Sequence, residues 1–384
     1  MGKPRVGIVS MQRIRNYGSF LQAWGLKRVF ESLGAEVRFV DYRIGRCLVE
    51  TEGSRLPRPA AKLAEVLGGP GPLSAKLAYA NYKRHYDARA WPLLGLPSNP
   101  DYSTGDLDML AVGSDEVFNC VQSNPNVGYS PDLFGASCEA GRLVSFAASC
   151  GNTTLAKLEG CDVAEEVAGW LSRFDALSVR DENTAAVVLA LTGRDPERDL
   201  DPALVWDFFG RDEVPPCPIE GRYMLVYAYS GRLSVKECAA IRAYADARGF
   251  KVVNVGGVQG CCDRFLDLGP FEVLSAFRGA ECVLTDTFHG TILSVIAERP
   301  FAVVVRTVGY GNAEKLTDLL ARLGLEGRAA ASAADIAPLL DSAPDWVPAR
   351  GCIERGRKRA YGYLKDQLVA CDEGLRAERG THVG

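Results

Sequence analysis

Short apolar runs alternate along the chain with stretches whose apolar residues recur every three or four positions. RVGIVS (5–10) is followed after a polar turn by a helical pattern near 19–33, where Leu26, Val29, Phe30 and Leu33 fall at i, i+3, i+4 and i+7 and Gly34 stops the helix. EVRFVDY, DMLAVGS, RLVSFAAS and DALSVR read as further strands, the last leading into the helix DENTAAVVLALTG. The alternation restarts at YMLVYAY. It continues through SVKECAAIRAYADARG, KVVNVGG, PFEVLSAFRG, CVLTD, GTILSVIAE, FAVVV and NAEKLTDLLARLG. Strand and helix in regular alternation predict βαβ units and parallel sheets.

Three segments break the pattern. Residues 51–105 are richer in Pro, Gly, Lys and Arg and read as a variable helical insertion or lid rather than core. Residues 205–222 carry a proline cluster and read as a linker. The basic stretch ERGRKRAYGYLKDQLV reads as a terminal helix that packs back on the first domain. The predicted organisation is therefore an N-terminal domain at 1–204, a linker at 205–222, a C-terminal domain at 223–350, and a helix and tail at 351–384. No internal repeat suggests a solenoid.

Length and composition fit two domains: 384 residues, 47% of them apolar, are enough for two ordinary cores. The net charge of −4, with no basic stripe, argues against a nucleic-acid partner. Apolar stretches such as TAAVVLALTG fall short of the roughly 20 residues of a membrane helix. MGKPRVGIVS reads as a strand rather than a secretory signal, which predicts a cytoplasmic protein. The twelve cysteines include no CxxC pair and there are only three histidines, so no structural zinc site can be assembled. The cysteines read as reduced, mostly buried thiols.

In an open parallel sheet, ligands bind beyond the carboxyl ends of the strands. Five polar clusters fall there: Asn16-Tyr17-Gly18, Gly113-Ser114-Asp115, Ser149-Cys150-Gly151, Arg180, and Asp286 through Gly290, including Thr287, with Thr291 next to it. Helices starting near Ser19, Asp181 and Gly290 would aim free N–H groups at such a crevice, which favours anions. Arg180 suits a carboxylate or phosphate; the other reading is a pairing with Asp181, Glu182 or another surface carboxylate. His289 stands at a strand-to-helix corner, either as a satisfied core histidine or as a proton-transfer group. Asp286 is the candidate to orient its ring, and Gly290 to let the backbone approach a ligand. His85 and His382 lie in the insertion and the tail and receive no role.

NYGSFLQAWGLKRVFESLG, AVGSDEVFN, SFAASCG, SVRDENT, DPALV and GPFEVLSAFRGAECVLTDTFHGTILSVIAERPF, in this order, resemble the polysaccharide pyruvyl transferase family over about residues 5 to 330, with TDTFHGT the most specific piece. The resemblance implies two Rossmann-like domains facing a cleft, similar to the B-class glycosyltransferases. It also implies transfer of a pyruvyl group from phosphoenolpyruvate to two hydroxyls of a sugar or lipid-linked glycan as a cyclic ketal. Phosphoenolpyruvate is then the donor substrate, with no cofactor and no metal, and any membrane contact is peripheral. His289 takes the family histidine's place in catalysis and Arg180 the family arginine's place in holding the donor. Two departures stand out. Glu116 and Phe118 replace the commoner GSDQVWN residues, and Thr287 stands where a DRLHG form has a second arginine, for which Arg264, Arg306 or Lys315 are the possible replacements. A nucleotide-sugar glycosyltransferase and a noncatalytic carbohydrate-binding relative remain the other readings.

Overall fold

The computed structural model describes residues 2–49, 69–211, 213–306 and 313–381, the last ten of these as backbone only. Much of the predicted insertion (residues 51–68), as well as His382, lies outside the described residues.

The first sheet contains β1 (Arg5–Val9), β2 (Glu36–Phe39), β3 (Met109–Asp115), β4 (Leu143–Ala148), β5 (Ser178–Val179) and β6 (Glu197–Arg198), in the order β2-β1-β3-β4-β5-β6. The second contains β7 (Tyr223–Tyr227), β8 (Lys251–Val255), β9 (Arg264–Phe265), β10 (Cys282–Thr285), β11 (Phe301–Val304) and β12 (Ala329–Ala330), in the order β12-β11-β10-β7-β8-β9. Every pairing is parallel. β4 and β7 are buried along their whole length, as strands covered by helices on both faces must be. These are two Rossmann-like domains.

The connecting helices of the first domain are α1 (Tyr17–Ser32), α2 (Leu73–Leu94), α3 (Leu155–Gly160), α4 (Ala164–Ser172), α5 (Glu182–Thr192) and the single turn α6 (Pro202–Val205). Those of the second are α7 (Val235–Arg248), α8 (Glu272–Gly279), α9 (Phe288–Ile296), α10 (Ala313–Leu323) and α11 (Ile336–Asp341). The long α12 (Trp346–Thr381) starts on the second domain, where Trp346 stacks on Phe301 at 6.0 Å between ring centroids. It ends on the first, where Tyr363 Oη donates to the Ser145 carbonyl at 2.9 Å and Gln367 Oε1 accepts from Arg142 at 2.7 Å. The helix thus begins at 346, ahead of the predicted 351, because Trp346 and Ala349 already pack into the second domain's core. Trp206 and Phe208 are buried, so the proline-rich crossover that follows α6 is anchored at its start.

α2 differs most from expectation. Read as part of an insertion, it is packed between the domains, with Tyr82 and Tyr86 buried against Tyr17 of α1 and Phe265 of β9. Asp267 accepts from Asn81 at 2.7 Å and pairs with Arg89. All twelve cysteines are free thiols, and burial pushes Cys120, Cys262 and Cys282 up to about 12. Among the described residues, no helix is long and apolar enough to cross a membrane, and no group of His, Cys, Asp and Glu could hold a metal ion.

Candidate functional site

Each sheet has a point where the connections leave in opposite directions, between β1 and β3 in the first and between β7 and β10 in the second. Loops that diverge there open a crevice beyond the strand ends. The two crevices face each other across a single cleft of ≈440 Å³. From the first domain it is lined by Asn16 and Ser19 after β1, Asp115, Glu116 and Asn119 at and after β3, and Arg180 after β5. From the second come Tyr229 and Arg232 after β7, Asp286 to His289 after β10, and Lys315 in α10.

His289 sits in the first turn of α9, whose cap is Thr287: the Thr287 hydroxyl accepts from the Gly290 N–H at 2.9 Å. The ring lies over Gly18, where a Cβ would stand 2.2 Å from His289 Cγ. Its Nε2 faces Asp201 Oδ2 at 3.5 Å. The same oxygen accepts from Arg180 Nη1 at 2.8 Å. Histidine of the second domain and arginine of the first therefore meet on one carboxylate. Arg180 is only 3% exposed, lies 4.1 Å over the Phe288 ring and reaches Asp115 Oδ1 at 3.8 Å. Burial disfavours a charge on Asp201, but His289, Arg180 and the Ala203 N–H outweigh it and hold the carboxyl at about 2.

Two further cations face the same space. Lys315 Nζ donates to Glu116 Oε1 at 2.7 Å; against the effect of burial, Lys315 and the Asn119 amide hold Glu116 at about 2. Arg232 Nη1 lies 3.6 Å from Asp286 Oδ2, with its guanidinium 4.4 Å over the Tyr229 ring. Burial pushes the Asp286 carboxyl up, opposed by Arg232 and Arg306. Asp115 adopts φ 72, a left-handed conformation that aspartate tolerates, and accepts from the Ser19 hydroxyl at 2.8 Å.

Of the residues singled out from sequence, Asn16, Asp115, Gly151, Arg180 and Asp286 through His289 line the cleft. Gly18 is the floor under the histidine. Asn16 caps α1 and donates to Tyr229 Oη at 2.8 Å, a bond across the domains. Four of the others bond within the frame. Tyr17 is buried and donates to the Leu268 carbonyl at 2.8 Å, Ser114 donates to the Ala147 carbonyl at 2.7 Å, and Ser149 donates to Asp181 at 2.6 Å. Thr291 donates back to the Thr287 carbonyl at 3.0 Å. Gly290 makes room for the Thr285 and Thr287 hydroxyls, since a Cβ there would stand 2.0 Å from Thr285 Oγ1.

Two expectations change. The carboxylate facing His289 is Asp201, whereas Asp286, which precedes the helix cap, is directed at Arg232. Arg180 pairs with neither Asp181, which caps α5, nor Glu182, which pairs with Arg198 at 3.1 Å. Its partner is the buried Asp201. Among the possible replacements for a second arginine, Lys315 lines the cleft, while Arg306 stands behind it, pairing with Glu237 at 2.9 Å and donating to the Arg232 carbonyl. Arg232 itself was missed, although it follows the strand YMLVYAY at the end where ligands bind. Asp201 was missed too. Asp-Pro before a short apolar run signals a helix cap and does not reveal what the second oxygen reaches.

Solved structures resembling the chain include UDP-GlcNAc 2-epimerase from Methanocaldococcus jannaschii, at 9% identity and TM-score 0.49 over 95% of this chain and 99% of that one. A putative UDP-N-acetylglucosamine 2-epimerase from Listeria monocytogenes gives 12% and 0.49 over 98% of each chain. The α,α-trehalose 6-phosphate synthase from Burkholderia multivorans gives 11% and 0.45 over 99% and 100%. Likenesses of this strength say nothing of what the cleft binds. No curated protein matches the sequence. The family model described as polysaccharide pyruvyl transferase matches residues 16–307, from the cap of α1 to just past β11, and so takes in Arg180, Asp201 and His289 together. By that match over most of its length, the chain belongs to the polysaccharide pyruvyl transferase family.

Proposed function

We propose that the cleft transfers a pyruvyl group from phosphoenolpyruvate to two hydroxyls of a sugar in a free or lipid-linked glycan precursor, forming a cyclic ketal and releasing inorganic phosphate. In this reading the enzyme uses no cofactor and works in the cytoplasm. The observation that carries it is the meeting of His289 and Arg180 on Asp201 at the cleft wall, with Arg232 and Lys315 lining the same space.

Phosphoenolpyruvate presents a carboxylate and a phosphate on three carbons, so a site needs several N–H donors within a few ångströms of one another. A guanidinium has five, and both Arg232 and Arg180 line the cleft, with Lys315 beside them. The reaction adds a proton to the methylene carbon, which makes C2 electrophilic. One sugar hydroxyl bonds to C2, phosphate leaves as the C2–O bond breaks, and the second hydroxyl completes the ketal. The two hydroxyl protons balance those gained by the methyl group and the departing phosphate. In this reading His289 moves a proton, histidine being the side chain most often used for general acid–base work.

Purified protein with phosphoenolpyruvate should release inorganic phosphate, and excess donor should stabilise the fold by about 2.7 kcal/mol at a hundredfold excess over its dissociation constant. Stabilisation by a uridine or cytidine nucleotide sugar, with neither effect from phosphoenolpyruvate, would replace this reading with glycosyl transfer.

A further inference from the structure

Four groups converge on the carboxylate of Asp201. Oδ1 accepts from the Ala203 N–H at 2.9 Å, which fixes it to the first turn of α6. Oδ2 accepts from Arg180 Nη1 at 2.8 Å, lies 3.5 Å from the Ser114 hydroxyl and faces His289 Nε2 at 3.5 Å. Asp201 is 1% exposed, so solvent cannot take the place of any of these partners. A helix cap alone would use one oxygen and would not require a histidine from the other domain.

An ionised carboxylate is an acceptor only, so a ring nitrogen turned toward it carries hydrogen. Closing the 3.5 Å gap to a hydrogen bond requires the proton of the neutral imidazole on Nε2, with the lone pair on Nδ1. Nδ1 is on the ring edge that packs against Gly18, where a Cβ would be 2.3 Å away, at the head of α1 beside the cleft-lining Asn16 and Ser19. We propose that Asp201 is a positioning residue: it holds the His289 ring with Nε2–H toward its own carboxylate and Nδ1 toward the substrate, and couples that ring to Arg180 across the two domains. The proposal deepens the pyruvyl-transfer reading of this site and rests on it for its kinetic arm.

The first test uses the intact wild-type chain labelled with ¹⁵N-histidine. With three histidines in the sequence, His289 is assigned by the signals missing from His289→Asn. At a pH about two units above the ordinary histidine value of roughly 6.5, Nε2 of His289 should give the shift of a protonated nitrogen and Nδ1 that of a bare one. The reverse pattern, or an even mixture, overturns the assignment. The second test is a double-mutant cycle on phosphate release from phosphoenolpyruvate, with water as the acceptor. Asp201→Asn should slow release by about 10²-fold, the scale of a misplaced reacting group. It should keep the thermal shift given by phosphoenolpyruvate and add less than about threefold in a His289→Asn background. Losses that multiply in full show that Asp201 acts without His289 and overturn the proposal. If Asp201→Asn does not fold, the wild-type ring signals decide alone. If the wild type releases no phosphate, the pyruvyl-transfer reading fails while the ring signals still decide the role of Asp201.

Discussion

The absence of a side chain at Gly18 is what allows His289 to stand where it does. A Cβ there would lie 2.2 Å from His289 Cγ and 2.4 Å from its Cβ, far inside the roughly 3.5–4.0 Å of carbon contact. Because the position is helical, alanine is otherwise favourable by about 1 kcal/mol. Gly18→Ala should therefore cut phosphate release from phosphoenolpyruvate by about 10²-fold while leaving a folded, donor-binding protein, checked by melting temperature with and without donor. Glu116 makes the opposite case. Its carboxylate occupies Lys315, so Glu116→Gln should free that ammonium and tighten phosphoenolpyruvate binding about fivefold, the ~1 kcal/mol scale of a part-exposed pair, with a steeper loss of affinity in salt. A thermal-shift titration at two ionic strengths reads both effects. At this scale the sequence identified His289, Arg180 and Asp115 because each follows an apolar run. Tyr17, Ser114, Ser149 and Thr291 share that property yet point into the frame. Which way a loop side chain turns is set by the local backbone and its hydrogen bonds, to which composition is blind.

α2 shows what a pattern of apolar residues can hide at the scale of an element. Its buried positions are Ala75, Tyr82, Tyr86, Ala90 and Leu94, a seam spaced by seven, four, four and four residues, but carried by tyrosine and alanine among charged neighbours. Hydropathy is weak there although the rings bury much area. The strands were legible for the converse reason, since buried parallel strands are apolar on both faces. Tyr82 packs against Tyr17 at 5.3 Å, Tyr86 at 5.4 Å and Phe265 at 5.9 Å, with partners in both domains. Tyr82→Ala should cost about 3 kcal/mol and weaken both halves together. Calorimetry should show one lowered transition; an unaffected second domain would mean that α2 serves the first domain alone.

For the molecule as a whole, the cleft carboxylates govern behaviour in acid. Asp201 and Glu116 are held at about 2, below their reference values of 3.8 and 4.5. The folded state therefore binds fewer protons than the unfolded chain over this interval, and the stability these groups contribute above about pH 4.5 is lost as the pH falls toward 2. Asp286 has the opposite sign: burial raises its value, so its cost to the fold eases as it gains a proton. Lys315→Met should leave the protein less stable at pH 7 and flatten the loss between pH 5 and pH 2, measured as denaturant midpoint against pH. An unchanged slope would show that the Lys315–Glu116 pair is inert. The two-domain plan was readable from the restart of alternation at YMLVYAY, whereas the contacts that join the domains, Asn16 to Tyr229 and Asp201 to His289, depend on pairings 213 and 88 residues apart.

The chain passes between the domains twice, once in the crossover after α6 and once in α12. In mechanical terms two attachments define an axis. A single tether would let one domain swivel freely about the other, but two restrict relative motion to rotation about the line joining them, a hinge with essentially one degree of freedom. Rotation about that line changes the separation of the cleft walls, and with it the contact of His289 with Asp201 that crosses between them. The Asn81 and Arg89 contacts to Asp267 are further ties that such a rotation would have to accommodate.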